Sequence, residues 1–174
     1  MDFFGKYKRK LDLLKENMKY SQKLVHIGSW THDIEKNETF FTDEVHRILE
    51  TDREELGNRL RNYLFFVHPH DFEIVKEATC KAEKGEEYEI EYRIKTPSGK
   101  VKFIYEKTIT IHAENGKPIK TTGVIQDITE HKLMENNIRE LSEDLKQVQI
   151  IADVGCWRYD VINDKFYGSK ETYR

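Results

Sequence analysis

Three consecutive segments in the second half of the chain constrain its fold more than any other part of the sequence. The segment EYEIEYRIK alternates strictly, with Tyr88, Ile90, Tyr92 and Ile94 on one face and charged residues on the other. A period of two predicts a strand with one buried face. The turns TPSGK and AENGKP then separate it from VKFIYEKTITIH and IKTTGVIQDIT. Three strands joined by tight turns predict an antiparallel meander.

An earlier phrase, GSWTHDIEKNETFFT, predicts a hairpin of two more strands with its turn at Glu35–Glu38. Between this hairpin and the meander, TDEVHRILE and HDFEIVKEATCKAEKG predict helices, with Thr42 and Asp71 as candidate N-caps and Gly85 as the terminator. Five antiparallel strands with helices inserted after the second predict an α+β fold, with the helices on one face of the sheet.

Two long helical segments are expected to flank this domain. Residues 6–26 carry apolar side chains at spacings of three and four, which predicts an amphipathic helix with a narrow apolar stripe. Residues 131–152 repeat apolar side chains with the 3.5-residue period of a two-stranded coiled coil. The seam of this second helix comprises Met134, Ile138, Leu141, Leu145 and Val148. We expect a homodimer through the flanking helices; a helix packed along its own domain would show the same stripe.

Composition narrows the possible partners. The net charge of -3 comes from interspersed signs and leaves no basic surface for nucleic acid. No apolar run approaches the ~20 residues of a membrane-spanning helix. Cys80 and Cys156 are far apart and form no metal-binding or disulfide pattern. We therefore expect a cytoplasmic segment with no nucleic-acid partner and no direct insertion into a membrane.

Four motifs follow one another in the order IGSWTHDI, FVHPHDF, EYRIKTPSGKVKFI and GVIQDITEHK. Together they resemble a PAS domain, a small sensory fold of bacterial and archaeal signalling proteins. The first two are similar to a PAS subclass with a Gly-x-Trp opening and a His-Pro-x-Asp link. The third resembles the family's first hairpin of the meander, with Phe103 where the family usually has Trp. The fourth is similar to the family's exit from the sheet into a signalling helix.

The resemblance implies a PAS domain over residues 24–130, between an N-terminal amphipathic helix over 1–23 and a heptad linker helix over 131–152. It implies a sensory and dimerising module without catalytic residues of its own, which passes a change to the linker and to an effector outside this sequence. By resemblance that effector is a histidine kinase or, as the alternative, a diguanylate cyclase. Asp127 and Thr129, at the junction of sheet and helix, are expected to relay the signal; as ordinary capping residues they would make the same hydrogen bonds.

A PAS ligand lies between the inner face of the sheet and the long helix, so the resemblance also implies a pocket. Its candidate lining residues are Val75, Ala78, Ile90, Tyr92, Thr121, Gly123 and Ile125. The competing interpretation is that these residues are simply core, in a ligand-free domain that acts through protein interactions. A small-molecule ligand, if present, is not identified by the sequence.

The sequence gives little support for the cofactors known in the family, and we expect no cofactor. The cysteine-containing stretch of flavin-binding members is absent, and Ile125 stands where that group has a glutamine. Haem would need an axial ligand, for which His68 and His70 are the nearest candidates. These two histidines with Asp71 and Glu73 could also form a metal centre of a hydrolase. A structural loop with Asp71 as a helix cap is the interpretation we prefer, and we expect no metal.

The opening phrase occurs a second time, as VGCWRYDVINDKFYG. Aligning Gly28 with Gly155 also pairs Trp30 with Trp157 and Asp33 with Asp160. The repeat predicts that residues 153–174 are the truncated start of a second PAS domain, which cannot bury a core alone. The sequence is then part of a protein with tandem PAS domains.

Overall fold

The computed structural model describes residues 3–152, 154–169 and 172, with side chains described from residue 6 onward. The helices are α1 (Phe3–Leu24), α2 (Asp43–Leu49), α3 (Arg53–Leu56), α4 (Phe72–Lys84) and α5 (Thr129–Ala152), with 3-10 helices at Leu60–Phe66 and Pro69–Asp71. The strands are β1 (Ile27–Asp33), β2 (Glu38–Phe41), β3 (Glu89–Lys95), β4 (Val101–His112), β5 (Pro118–Asp127), β6 (Trp157–Asp160) and β7 (Lys165–Gly168). The chain separates into two units, one ending at Thr129 and the other beginning at Glu130.

The first unit contains one five-stranded sheet in the order β2-β1-β5-β4-β3. All four pairs of neighbouring strands are antiparallel. Strand β5 pairs with β1 from Ile27↔Gln126 to Asp33↔Lys120, so the meander and the first hairpin form a single sheet. The predicted α+β fold with five antiparallel strands is confirmed.

The segments between β2 and β3 cover one face of this sheet. From the strands, Trp30, Tyr92 and Ile125 are each at most 3% exposed. The helices contribute Val45, Leu49, Ile48, Leu56 and Val75 to the same core cluster. The alternation seen in the sequence therefore separates an inner, helix-covered face from an outer face, as a half-buried sheet requires.

Of the predicted helix ends, Gly85 acts as expected, whereas the side chain of Thr42 has a different hydrogen-bond partner. Gly85 ends α4 in the left-handed conformation with φ 78°, as expected of a glycine terminator. Thr42 occupies the N-cap position of α2, but its side chain does not cap the helix. Its Oγ1 accepts the backbone N–H of Ser29 at 3.0 Å, while the Thr42 N–H donates to the Ser29 carbonyl at 2.9 Å. The Thr42 hydroxyl therefore extends the β1–β2 ladder, because the amide of Ser29, one position beyond the pair Trp30↔Phe41, also needs an acceptor.

Helix α1 belongs to the first unit and contacts β1 and α2 of that unit through polar side chains. Lys19 forms an ion pair with Asp43 at 2.8 Å, and Gln22 Nε2 donates to Ser29 Oγ at 3.0 Å. The predicted apolar stripe is more than half exposed, at Leu11, Leu14 and Met18. Most of the α1 surface is therefore solvent-exposed.

The second unit contains α5 and the hairpin β6–β7. No described side chain of α5 is buried. In the hairpin, the rings of Trp157 and Phe166 stack with their centroids 5.9 Å apart. Within the part of the chain that is described, no helix combines the length and apolar character needed to cross a membrane.

Candidate functional site

The residues predicted to line a pocket lie on strands β3 and β5 and on helix α4. Val75, Ala78, Tyr92, Thr121 and Ile125 are each at most 3% exposed. Gly123 is buried beside them, and Ile90 is half-buried against the same core. The structure therefore buries six of the seven candidate residues and leaves Ile90 half-buried, and whether they line a ligand pocket stays a prediction.

In the interior between sheet and helices, side chains occupy the parts around Gly123 and Thr121. An added Cβ on Gly123 would lie 2.6 Å from Cε2 of Trp30, so the indole rests directly on the glycine backbone. The hydroxyl of Thr121 donates to the Ala82 carbonyl at 2.8 Å, which joins β5 to α4. None of the three clefts described on the surface of the first unit is lined by a predicted pocket residue.

A buried carboxyl group, which the sequence analysis missed, lies at the centre of this interior. Glu106 on β4 is 4% exposed. Its Oε1 accepts the indole N–H of Trp30 at 2.7 Å, and its Oε2 lies 2.7 Å from the hydroxyl of Tyr92. That hydroxyl lies 2.9 Å from the hydroxyl of Tyr63. The strand alternation on β4 carried the signal, because Ile104, Glu106 and Thr108 all point inward.

Burial raises the pKa of Glu106, and its hydrogen bonds from Tyr92 and Trp30 offset this in part. Burial also raises the pKa of the Tyr63 and Tyr92 hydroxyls, which therefore stay protonated. One Tyr92 hydrogen cannot donate to both neighbours. If Glu106 is ionised, the Tyr92 hydroxyl donates to the carboxylate. If Glu106 is protonated, its carboxyl group donates to the Tyr92 hydroxyl, which then donates to the Tyr63 hydroxyl. The protonation state of Glu106 thus sets the direction of the hydrogen-bond chain.

The His-Pro-His-Asp link is a structural corner. Asp71 does not cap α4, which corrects our prediction. Its Oδ2 accepts the backbone N–H and the Nε–H of Arg93, both at 2.8 Å, and its Oδ1 accepts from the guanidinium at 2.7 Å. A bidentate arginine with an added amide bond outcompetes a single helix-terminal amide. Arg93 lowers the pKa of Asp71 to about 2.

The metal interpretation of the same link finds no geometric support. The rings of His68 and His70 lie 5.2 Å apart, while Asp71 is held by Arg93. Across the described residues, no group of three or more His, Cys, Asp or Glu side chains could hold a metal ion.

The predicted relay residues lie where β5 passes into α5. Asp127 Oδ1 accepts the backbone N–H of Thr129 at 3.0 Å and its hydroxyl at 2.5 Å. The Thr129 hydroxyl oxygen accepts the backbone N–H of Phe103, on the neighbouring strand β4, at 2.9 Å. The first residue of α5 is therefore bonded to two strands of the sheet.

Comparison with known proteins agrees with this geometry. The family model described as the PAS fold matches residues 38–125, half of the chain. The chain belongs to the PAS fold family. Its match runs from the start of β2 to Ile125 of β5, and so includes Glu106, Asp71 and all seven predicted pocket residues.

Several PAS-containing proteins resemble this chain. A blue-light-activated histidine kinase of Brucella ovis is 28% identical over 131 residues, which are 75% of this chain and 26% of that kinase. A crystal structure of a sensory box histidine kinase/response regulator from Burkholderia thailandensis has a TM-score of 0.55 at 21% identity, covering 75% of this chain and 98% of that one.

The N-terminal domain of a diguanylate cyclase with a PAS/PAC sensor from Marinobacter aquaeolei has a TM-score of 0.54 at 17% identity, covering 61% and 98%. At these identities the two solved structures establish the fold alone. The present chain spans about a quarter of the length of the curated kinase that it matches.

Proposed function

We propose that this chain is the sensory and dimerising PAS module of a cytoplasmic signal-transduction protein whose effector is a histidine kinase. The kinase relatives support the choice of effector, and the diguanylate cyclase with a similar PAS fold supports the alternative. The described chain itself carries no proposed catalytic residue. Its role is to convert a change in the first unit into a change in α5.

The exposed seam of α5 is the observation that carries this proposal. Five apolar side chains recur with the heptad period and are 53–68% exposed: Met134, Ile138, Leu141, Leu145 and Val148. An apolar stripe of this period is buried when a second helix packs along it. We propose that the second helix is α5 of another copy.

The relay from sheet to coil is proposed to pass through Asp127 and Thr129. Their hydrogen bonds join Thr129, the first residue of α5, to β4 and to Asp127 of β5. A repacking of the interior around Glu106 and Tyr92 would move those strands and with them the first turn of α5. The coil would then change its register or crossing angle.

The dimer is tested by sedimentation equilibrium of the chain with Leu141→Lys and with Glu143→Lys as its matched control. Leu141 lies on the seam, whereas Glu143 lies on the opposite side of the helix. Losing two buried leucines per dimer should weaken the Leu141→Lys dimer at least about 100-fold. The Glu143→Lys variant should stay close to wild type. A wild-type chain that is monomeric at every concentration, or two variants that behave alike, would contradict the proposal.

A ligand-free interaction domain is the second candidate function, and the packing of Trp30 against Gly123 favours it. The indole of Trp30 against Gly123 leaves no space on that part of the inner face. The input would then be a partner protein or the other protomer. Native mass spectrometry of the purified chain separates the two candidates, since a retained small molecule in the interior would rule out the ligand-free form.

We also propose that the hairpin β6–β7 begins a second PAS domain. Its pairs Trp157↔Gly168 and Asp160↔Lys165 repeat the pairs Trp30↔Phe41 and Asp33↔Glu38 of the first hairpin at a constant offset. A backbone register shared along with the sequence phrase supports a tandem arrangement.

A further inference from the structure

A cleft at one end of the first unit has not been used by the proposed function. It has a volume of about 750 Å³. Strand β1 and the hairpin turn, the 3-10 helix Leu60–Phe66 with the residue before it, and the end of α4 form its walls. The side chains that matter for its chemistry are His32, Asn37, Arg59, Arg61 and Glu83. This cleft shares no residue with the seven predicted pocket residues.

A buried histidine forms the floor of the cleft. His32 is 2% exposed, and its Nδ1 lies 3.0 Å from the hydroxyl of Thr39. Burial lowers the pKa of His32, as does the charge of Arg59, while Glu83 and Asp33 raise it. The ring is therefore neutral near pH 7. The Thr39 hydroxyl has no other acceptor among the described hydrogen bonds, so we assign it as the donor to Nδ1. This assignment places the hydrogen of the neutral ring on Nε2.

The second nitrogen of His32 is available to a ligand. Among the hydrogen bonds of the described residues, Nε2 has no protein partner. The fully buried polar atoms without a partner in that part of the chain are His46 Nδ1 and Thr110 Oγ1. Nε2 of His32 is not among them, so it keeps contact with solvent. A donor of this kind on the floor of a cleft is the feature that a polar ligand needs.

The rim of the cleft is cationic. Arg61 is neutralised by Glu83, to which its Nε and Nη2 donate at 2.7 and 2.6 Å. Arg59 donates one Nη1 bond to the Asn37 carbonyl at 2.7 Å and forms no ion pair within the described chain. Among the side chains that line the cleft, two arginines and one glutamate leave an excess of one positive charge, while the carboxylate of Asp33, which is not a lining residue, also acts on His32. The remaining donors of Arg59 form the planar fork that fits a carboxylate.

We infer that this cleft is a binding site for a small organic carboxylate, held by the Arg59 guanidinium at the rim and by His32 Nε2–H at the floor. The inference deepens the proposed sensory role by naming a class of input. Its test reads the cleft alone, and the sedimentation test reads α5 alone, so one proposal can fail while the other stands.

The experiment follows the ring nitrogens of His32 in the 174-residue chain labelled with [15N]histidine, titrated at pH 7.5 with acetate, succinate and inorganic phosphate. His32 is assigned by the signal that His32→Gln removes. Acetate or succinate should shift it saturably, with a dissociation constant of about 1 mM. Arg59→Gln, at an exposed position that tolerates the change, should weaken this binding at least about tenfold.

Arg53→Gln is the matched control, because Arg53 is another exposed arginine that lines a different cleft and pairs with Asp43. It should leave the carboxylate affinity within about twofold of wild type. A shift that never saturates, or equal weakening by both arginine variants, would overturn the site. Tighter binding of phosphate than of either carboxylate would overturn the assigned class of ligand.

Discussion

The two hairpins of this chain have the same backbone and very different surroundings. In the first, Thr42 N–H donates to the Ser29 carbonyl at 2.9 Å; in the second, Ser169 N–H donates to the Cys156 carbonyl at 2.8 Å. Asn37 and Asp164, at equivalent turn positions, both have positive φ, of 53° and 51°. The repeated sequence segment therefore encodes the turn, the register and the strand exit by itself.

The two tryptophans show what this repeated segment does not encode. Trp30 is 2% exposed and donates to Glu106, whereas Trp157 is 65% exposed and stacks on Phe166. Glu106 and Gly123, which receive the first indole, lie 76 and 93 positions along the chain from it. A hairpin is local, but the burial of its inner face depends on the meander and the helices. The comparison therefore distinguishes a completed domain from the proposed start of one.

The largest expected difference is between Trp30→Ala and Trp157→Ala. Removing Trp30 leaves a cavity against Gly123 and deletes one of the hydrogen bonds to Glu106, so the free energy of unfolding should fall by about 3–5 kcal/mol. Removing Trp157 deletes an exposed ring and should change the stability of the first unit by less than about 0.5 kcal/mol. Urea unfolding followed by far-ultraviolet circular dichroism measures both. Equal losses would mean that the two hairpins are equally buried in solution.

The next effect concerns the acceptor of the Trp30 indole. Glu106→Ala would leave the Trp30 N–H and the Tyr92 hydroxyl without this acceptor, at an expected cost of about 2–4 kcal/mol. Glu106→Gln keeps an acceptor for the indole and should cost less. The second hairpin offers no equivalent, since its tryptophan is exposed. Urea unfolding of both variants measures the losses, and an Ala variant as stable as wild type would contradict the buried network.

The pH dependence of the same group sharpens the test. Because burial raises the pKa of Glu106 above its usual 4.5, the folded state holds a proton that the unfolded state has lost. The stabilisation from this proton is complete below pH 4.5 and is lost as pH rises through the folded-state pKa. The stability of wild type relative to Glu106→Gln should therefore decline as pH rises above 4.5. A difference that grows with pH would contradict a raised pKa.

A smaller effect is expected at the contact between Asp71, just before α4, and Arg93 of β3. Asp71→Ala removes the carboxylate that holds Arg93, at an expected cost of about 1–2 kcal/mol. Glu73→Ala, at an exposed position in the first turn of α4, should cost less than about 0.5 kcal/mol. Since Arg93 lowers the pKa of Asp71 to about 2, its contribution is present above pH 3.8 and is lost as pH falls toward 2. Thermal unfolding of both variants at pH 7 and pH 3 measures these losses of stability. An Asp71→Ala loss that equals the Glu73→Ala loss at pH 7, or that is the same at both pH values, would contradict the prediction.

The fold was predictable because its signals are local and periodic. Strict alternation from Tyr88 to Ile94 and the Asn-Gly turn define the meander, and Gly85 marks the end of α4. Tertiary partners were less predictable. Asp71 at a helix start predicts a cap, yet Arg93, 22 positions away, provides a stronger partner. Glu106 in an alternating strand looks like any other charged residue until β4 is aligned with Trp30.

Hydrogen–deuterium exchange on the 174-residue chain tests the difference between the two hairpins most directly. If the first hairpin belongs to a completed PAS domain, the amides of its strand β1, which lies between β2 and β5, should exchange only through global unfolding of that unit. The amides of β6 and β7 should exchange through local opening, orders of magnitude faster. Equal, slow exchange in both hairpins would contradict the account, because it would show that the second hairpin is already buried without the rest of a domain.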